Sequence, residues 1–206
     1  MIEAFLLDLD GTLVDSEPWH KKAEVLTFAR FDLEIEAEDL FAFTGMTLGE
    51  MLEGVGKKFG THVLVEDFLA VQKPVFRRII EEEIELFPDA MRFLKKSKGK
   101  RSAMVTSSLP WYLEAVSMKH PILLDAFELR ICAADVESGK PHPEPFLLAA
   151  SKLSVDPRNC VAVEDSANGV RSAKAAGCYV IGIDREDHGL LKHAHRVVKS
   201  FDEVET

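Results

Sequence analysis

A chain of 206 residues, 47% apolar and 29% charged, can bury a substantial core as one domain or one and a half, and the composition is that of a soluble globular protein. A formal charge of −10 argues against a nucleic-acid surface, which needs clustered cations, although a cleft can still attract a small anion. No apolar run approaches the roughly 18 to 20 residues that cross a bilayer and no basic leader opens the chain, so a cytoplasmic protein with no membrane partner is expected.

In chain order, IEAFLLDLD (2–10) is a continuous apolar run closing on acids, the pattern of a strand buried on both faces. Residues 15 to about 87 read differently. EPWHKKAEVLTFAR suggests a helix, and LGEMLEGVGKKF repeats Leu48, Met51, Leu52, Val55 and Phe59 at helical spacing. DFLAVQKPVFRRIIEEEIE does the same with Phe68, Val75, Phe76, Ile79 and Ile80, with a kink expected at Pro74. About four helices are expected here, inserted after the first strand, with Pro88 marking the return. The expected boundaries are 1–14 and 88–206 for an α/β core and 15–87 for an α-helical insertion.

Beyond Pro88, strands are expected at AMVTSS (103–108), LRICAADV (129–136), CVAVED (160–165) and CYVIGID (178–184). Helices are expected between them at 89–97, 110–120, 143–153 and 167–177, the last ending on Gly177. Such alternation gives a Rossmann-like parallel sheet sandwiched by helices, with ligands bound outside the strands' carboxyl ends. An insertion after the first strand belongs over that edge, as a lid. Cys132, Cys160 and Cys178 lie in apolar segments without metal-ligand spacing and read as buried thiols.

The strand ends carry the chemistry. Asp8 and Asp10 end the first, Thr106 and Ser107 the second, Lys140 follows the third in ESGKPHPEP, and Glu164 and Asp165 end the fourth. In a parallel sheet these ends share one edge. Several carboxylates there suit a hard, oxygen-loving cation that also bridges a phosphate, which points to Mg²⁺. One acid can then act as a nucleophile and another can move a proton, while Lys140 and Thr106 stabilise the oxygens of a transferring phosphoryl group. Simpler roles stand beside these: strand-end capping for the acids, a helix cap for Thr106, Ser107 and Ser108, and support of a neighbour rather than metal ligation for Glu164.

DLDGTLVDSE, VTSS, GKPHPEPF and VEDSANG, in that order, resemble the four motifs of the haloacid dehalogenase superfamily, and the region between the first two resembles the helical cap of its phosphatase and β-phosphoglucomutase-like members. The resemblance implies Asp8 as nucleophile and Asp10 as general acid and base. It implies phosphate binding by Thr106, the Ser107 backbone and Lys140. Mg²⁺ would be held by Asp8, the Asp10 carbonyl and Asp165, with Glu164 close by. It also implies a phosphate monoester hydrolase for a small phosphorylated metabolite such as a sugar phosphate; a monomer is expected. In the cap, Gly45 of FTGMT matches a loop that reaches the site, or is a plain turn; His20 is either a substrate contact or a packed surface group. A sugar phosphomutase would need cations for a second phosphate where Leu48, Leu109 and Pro110 stand, which favours hydrolysis. A non-catalytic binding module of the same fold is the other alternative.

Overall fold

The computed structural model describes residues 2–40, 43 and 48–205. It divides into two compact units, Met1–Asp15 with Glu85–Thr206, and Ser16–Ile84.

In the first unit, β1 (Ala4–Leu7) is buried along its whole length. Its alternation explains why: Ala4 and Leu6 join one core with Phe146, Ala149, Val170 and Ala173, whereas Phe5 turns the other way and meets Phe93 edge-on at 5.4 Å. A strand covered on both faces has no use for the polar–apolar alternation of a half-exposed one. The chain leaves through β2 (Val14–Asp15) and returns through β3 (Glu85–Leu86), which pair antiparallel as a two-residue ribbon.

After the return come α5 (Pro88–Lys96), β4 (Arg101–Val105) and α6 (Pro110–Lys119); the short α7 (Ile122–Asp125), β5 (Leu129–Ile131) and α8 (Glu144–Lys152) follow. The unit closes with β6 (Cys160–Glu164), α9 (Ala167–Ala175), β7 (Tyr179–Ile183) and β8 (Arg196–Val198). Among the described residues, six strands form one parallel sheet in the order β5-β4-β1-β6-β7-β8. The chain builds outward from β1 on one side and then crosses to build outward on the other. That reversal opens a crevice at the carboxyl ends of the central strands.

In the second unit, α1 (Glu17–Phe28), α2 (Ala37–Leu40), α3 (Leu48–Phe59) and α4 (Val65–Glu82) surround a core of Phe28, Ile35, Leu40, Met51, Leu52, Val55 and Phe68. Phe28 and Phe68 are 4.9 Å apart. The helix α4 continues through Pro74.

Several expected elements are shorter in the structure. The strand expected at 129–136 stops at Ile131, because the Asp135 carboxylate accepts from the Cys132 N–H at 2.8 Å and draws the chain into a 3₁₀ turn. The segments β8 and α2 are too short to leave a periodic signal. All three cysteines are buried and unpaired with one another. No helix among the described residues is long and apolar enough to cross a membrane.

The loop after β1 is braced by Arg185, just past β7. Its guanidinium donates to the Thr12 carbonyl at 3.1 Å and to Asp89 Oδ2 at 2.9 Å, and lies 3.7 Å from the Phe87 ring. The same Asp89 oxygen accepts from Ser200 Oγ and the Phe201 N–H, at 2.9 and 2.8 Å. Burial works against the Asp89 charge, but these donors prevail and hold its pKa below the ordinary 3.8. The pair's contribution is therefore full above that value and fades as pH falls through the lowered one. Asp89→Asn should cost about 2 kcal/mol at neutral pH, read as a lower urea midpoint, and the gap to wild type should close in acid. An unchanged midpoint at pH 7 would contradict this brace.

Candidate active site

The carboxyl ends of β1, β4 and β6 and the loop before α8 bring Asp8, Thr106, Lys140, Glu164 and Asp165 together. Asp8 follows β1 directly and its N–H donates to the Val163 carbonyl at 3.0 Å, so its backbone is fixed by the neighbouring strand. Its side chain is 8% exposed. Burial raises its pKa well above the ordinary range, with Glu164, Asp165 and Asp10 adding to the rise and Lys140 pulling the other way.

Lys140 is the counter-charge. Its side chain is 5% exposed, and its ammonium donates to Asp8 Oδ1 at 2.6 Å, to the Val105 carbonyl at 2.8 Å and to Glu164 Oε1. A lysine has three N–H donors, and three acceptors meet them. Contact with a further anion therefore requires one to be given up. Burial alone would favour neutral lysine, but the carboxylates of Asp8 and Glu164 raise its pKa and keep it charged. The loop that presents it is stapled at two points. Glu144 accepts from the N–H groups of Glu137 and Ser138 at 2.8 and 3.0 Å, and Ser172 Oγ donates to the His142 carbonyl at 2.5 Å.

Glu164 is fully buried at the end of β6. Its second oxygen accepts from the N–H and Oγ of Ser166, at 3.2 and 2.9 Å, where Ser166 caps the start of α9. A helix N-terminus favours negative charge. The seat needs Gly169, since a Cβ there would stand 1.9 Å from the carboxylate carbon. Asp165 leans against Gly11, where a Cβ would meet its Oδ2 at 1.9 Å, and accepts from Thr12 Oγ1 at 3.3 Å. Gly11 also carries φ +70, so the Asp-Gly-Thr turn requires glycine twice over, for its backbone and for its space.

Oxygens of Asp8, Glu164 and Asp165 lie within 4.8 Å of one another. Burial, then the Glu164 charge, raises Asp165 to a pKa of about 7. Three crowded acids with one lysine form a donor set short of positive charge, and its all-oxygen chemistry fits a hard divalent cation such as Mg²⁺.

Thr106 is buried at the end of β4, and its hydroxyl oxygen accepts from the Ser108 N–H at 3.0 Å. It thus braces the turn before α6, whereas the cap position of that helix is Leu109. Ser107 is exposed. Asp10 follows two residues after Asp8 and both its oxygens are held: Oδ2 accepts from Ser108 Oγ and Oδ1 from Tyr112 Oη, each at 2.5 Å. In the sequence Ser108 is a motif serine with either a site or a capping role and Tyr112 is one aromatic in an apolar helix; nothing in their spacing marks either as a partner of Asp10.

His20 lies in the helical unit, its ring 4.7 Å from Phe76. Gly45 lies outside the described residues. His188, His193 and His195 are exposed, and His195 accepts from the Val180 N–H at 3.0 Å.

Comparison with known proteins fits this site. A family model for haloacid dehalogenase-like hydrolases matches residues 2–177. Hexitol phosphatase A of Escherichia coli K12 is 32% identical, the match covering 98% of this chain and 93% of that protein. The crystal structure of CbbY from Rhodobacter sphaeroides in complex with phosphate superposes with a TM-score of 0.80 at 30% identity, covering 98% of this chain and 96% of that one. The β-phosphoglucomutase of Clostridium difficile superposes with a TM-score of 0.80 at 25% identity, over 100% and 94%.

The raised pKa of Asp165 has a sign that can be tested. Its carboxyl ionises near 3.8 in the unfolded chain and near about 7 in the fold, so in that window the unfolded state holds fewer protons. Stability in metal-free buffer should fall as pH rises from about 4 to about 7. Asp165→Asn, a neutral isostere, should be more stable than wild type by about 2 kcal/mol at pH 7.5 without divalent cations. The advantage should shrink towards pH 4. Thermal unfolding across pH checks this, and a variant less stable than wild type at pH 7.5 would contradict it.

Proposed function

This chain belongs to the haloacid dehalogenase-like hydrolases as a phosphatase of that family, and we propose that it hydrolyses the phosphate monoester of a small sugar or sugar alcohol through an aspartyl-phosphate on Asp8, with Mg²⁺ as cofactor. The observation that carries the reading is Asp8 itself, buried and held by the Lys140 ammonium beside two further acids. A carboxylate so enclosed is kept from water and aimed by its neighbour.

In this reading Asp8 attacks phosphorus as the ester P–O bond breaks. Asp10 gives a proton to the departing alcohol oxygen. Asp10 then takes a proton from the water whose oxygen attacks phosphorus, and Asp8 is released. Lys140, the Thr106 hydroxyl and the Ser107 backbone receive the phosphate oxygens. Lys140 does so by exchanging one of its present acceptors, and Thr106 still has a proton to donate. Asp8, Asp165 and the Asp10 carbonyl would hold Mg²⁺, with Glu164 in reach and holding Lys140; when bound, the ion supplies the positive charge that this acid-rich set lacks.

The sugar-phosphate class rests on the hexitol phosphatase relative and on the resemblance of motif and cap. Substrate choice is assigned to the helical insertion, 15–87, as cap. Hydrolysis is preferred over phosphoryl transfer between sugar hydroxyls because Leu48, Leu109 and Pro110 stand where a mutase needs cations. A monomeric, cytoplasmic enzyme belongs to the same reading.

The test is phosphate release from a panel of hexose, hexitol and pentose phosphates with Mg²⁺. Wild type should release phosphate, a chelator should abolish release, and Asp8→Asn should lower it by on the order of 10³-fold or more with the fold intact. Release that survives Asp8→Asn would reject the covalent route. Full release with chelator would reject the cation.

A further inference from the structure

Both oxygens of Asp10 accept hydrogen bonds from neutral hydroxyls, one from Ser108 at the end of VTSS and one from Tyr112 in the first turn of α6, outside the four motifs. We propose that Ser108 and Tyr112 are positioning residues for Asp10, fixing its carboxylate and stabilising the charge that appears on it when the leaving oxygen is protonated. The inference rests on the phosphatase reading above and deepens it.

The donors are themselves rigid. Tyr112 is buried in the first turn of α6, with its N–H on the Leu109 carbonyl at 3.0 Å and its ring edge-on to Trp111 at 6.0 Å. Ser108 is fixed because its own N–H donates to Thr106 Oγ1. The two hydroxyls therefore come from a braced turn and a helix, and between them they address both oxygens of a side chain that would otherwise choose among rotamers. A fixed donor pair costs no reorganisation when charge develops opposite it.

The chemistry gives the pair a direction. As the bond from phosphorus to the leaving oxygen breaks and that from phosphorus to Asp8 forms, the proton on Asp10 passes to the leaving oxygen, which departs as an alcohol. Asp10 is left as an anion. Hydrogen bonds to an ionised carboxylate are stronger than those to a neutral acid, so Ser108 and Tyr112 hold the product of the proton transfer better than its reactant. Only interactions stronger in the transition state accelerate the step.

This help matters most when the leaving group needs a proton. An alkoxide from a sugar alcohol is a poor leaving group; p-nitrophenolate departs with little assistance. Phosphate release from a hexitol phosphate and from p-nitrophenyl phosphate, compared through kcat/KM, reports phosphoenzyme formation for each. Tyr112→Phe, which removes one oxygen and keeps the ring, should lower kcat/KM about tenfold on the hexitol phosphate, or about 1.4 kcal/mol, and distinctly less on the nitrophenyl ester. Ser108→Ala should act the same way, and Ser108→Thr, which keeps the hydroxyl, should recover most of the loss. Thermal unfolding checks the fold of each variant; if Tyr112→Phe does not fold, the less buried Ser108 pair carries the comparison. Equal losses on the two esters, or none on either, would overturn the inference while leaving the phosphatase standing. A wild type that releases phosphate from neither would overturn both.

Discussion

The ammonium of Lys140 is the interaction on which the site depends. It lies between Asp8 and Glu164 and also meets the Val105 carbonyl, so one buried cation ties the ends of β1, β4 and β6 together. Removing it would leave two buried carboxylates facing each other, and an uncompensated buried charge costs several kcal/mol, roughly. The fold supplies this cation from a loop secured by Glu144 and Ser172 rather than from a strand. The loop sets where the charge sits, while the sheet sets where the acids sit.

One lysine does not balance the set. With Asp165 beside Glu164 and Asp10 close in sequence to Asp8, the crevice keeps an excess of acid, expressed in the raised pKa values of Asp8 and Asp165. Such frustration is poor for stability and useful for binding a cation or a developing positive centre. The two glycines make the crowding possible, because at Gly11 and Gly169 any side chain would occupy the space of a carboxylate. The chain spends stability at the crevice and recovers it elsewhere, as in the Asp89 and Arg185 brace behind the same loop.

Much of the arrangement was legible in the residues. A run such as AFLL without polar alternation implies a strand buried on both faces, and apolar runs alternating with helices imply parallel order, so acids far apart in sequence could be expected at one edge. Asp8, Thr106, Lys140, Glu164 and Asp165 meet there. What stayed hidden depends on three-dimensional approach rather than pattern. Tyr112 looks like any core aromatic until its hydroxyl is found on Asp10. Arg185 is one charge among several after a strand until Asp89, Phe87 and Thr12 are found around it. The end of β5 depended on a single carboxylate, Asp135, turning back on Cys132, which no periodicity reports.

If Asp8 forms a bond to phosphorus during turnover, that bond can be trapped and located. Enzyme quenched in acid within milliseconds of mixing with a turning-over phosphate ester, digested and mapped by mass spectrometry, should carry a phosphoryl group on the peptide that contains Asp8. The group should exchange away when the quench is delayed past substrate exhaustion. A phosphoryl group on another residue, or continuous turnover with none on Asp8 at any time, would contradict the account.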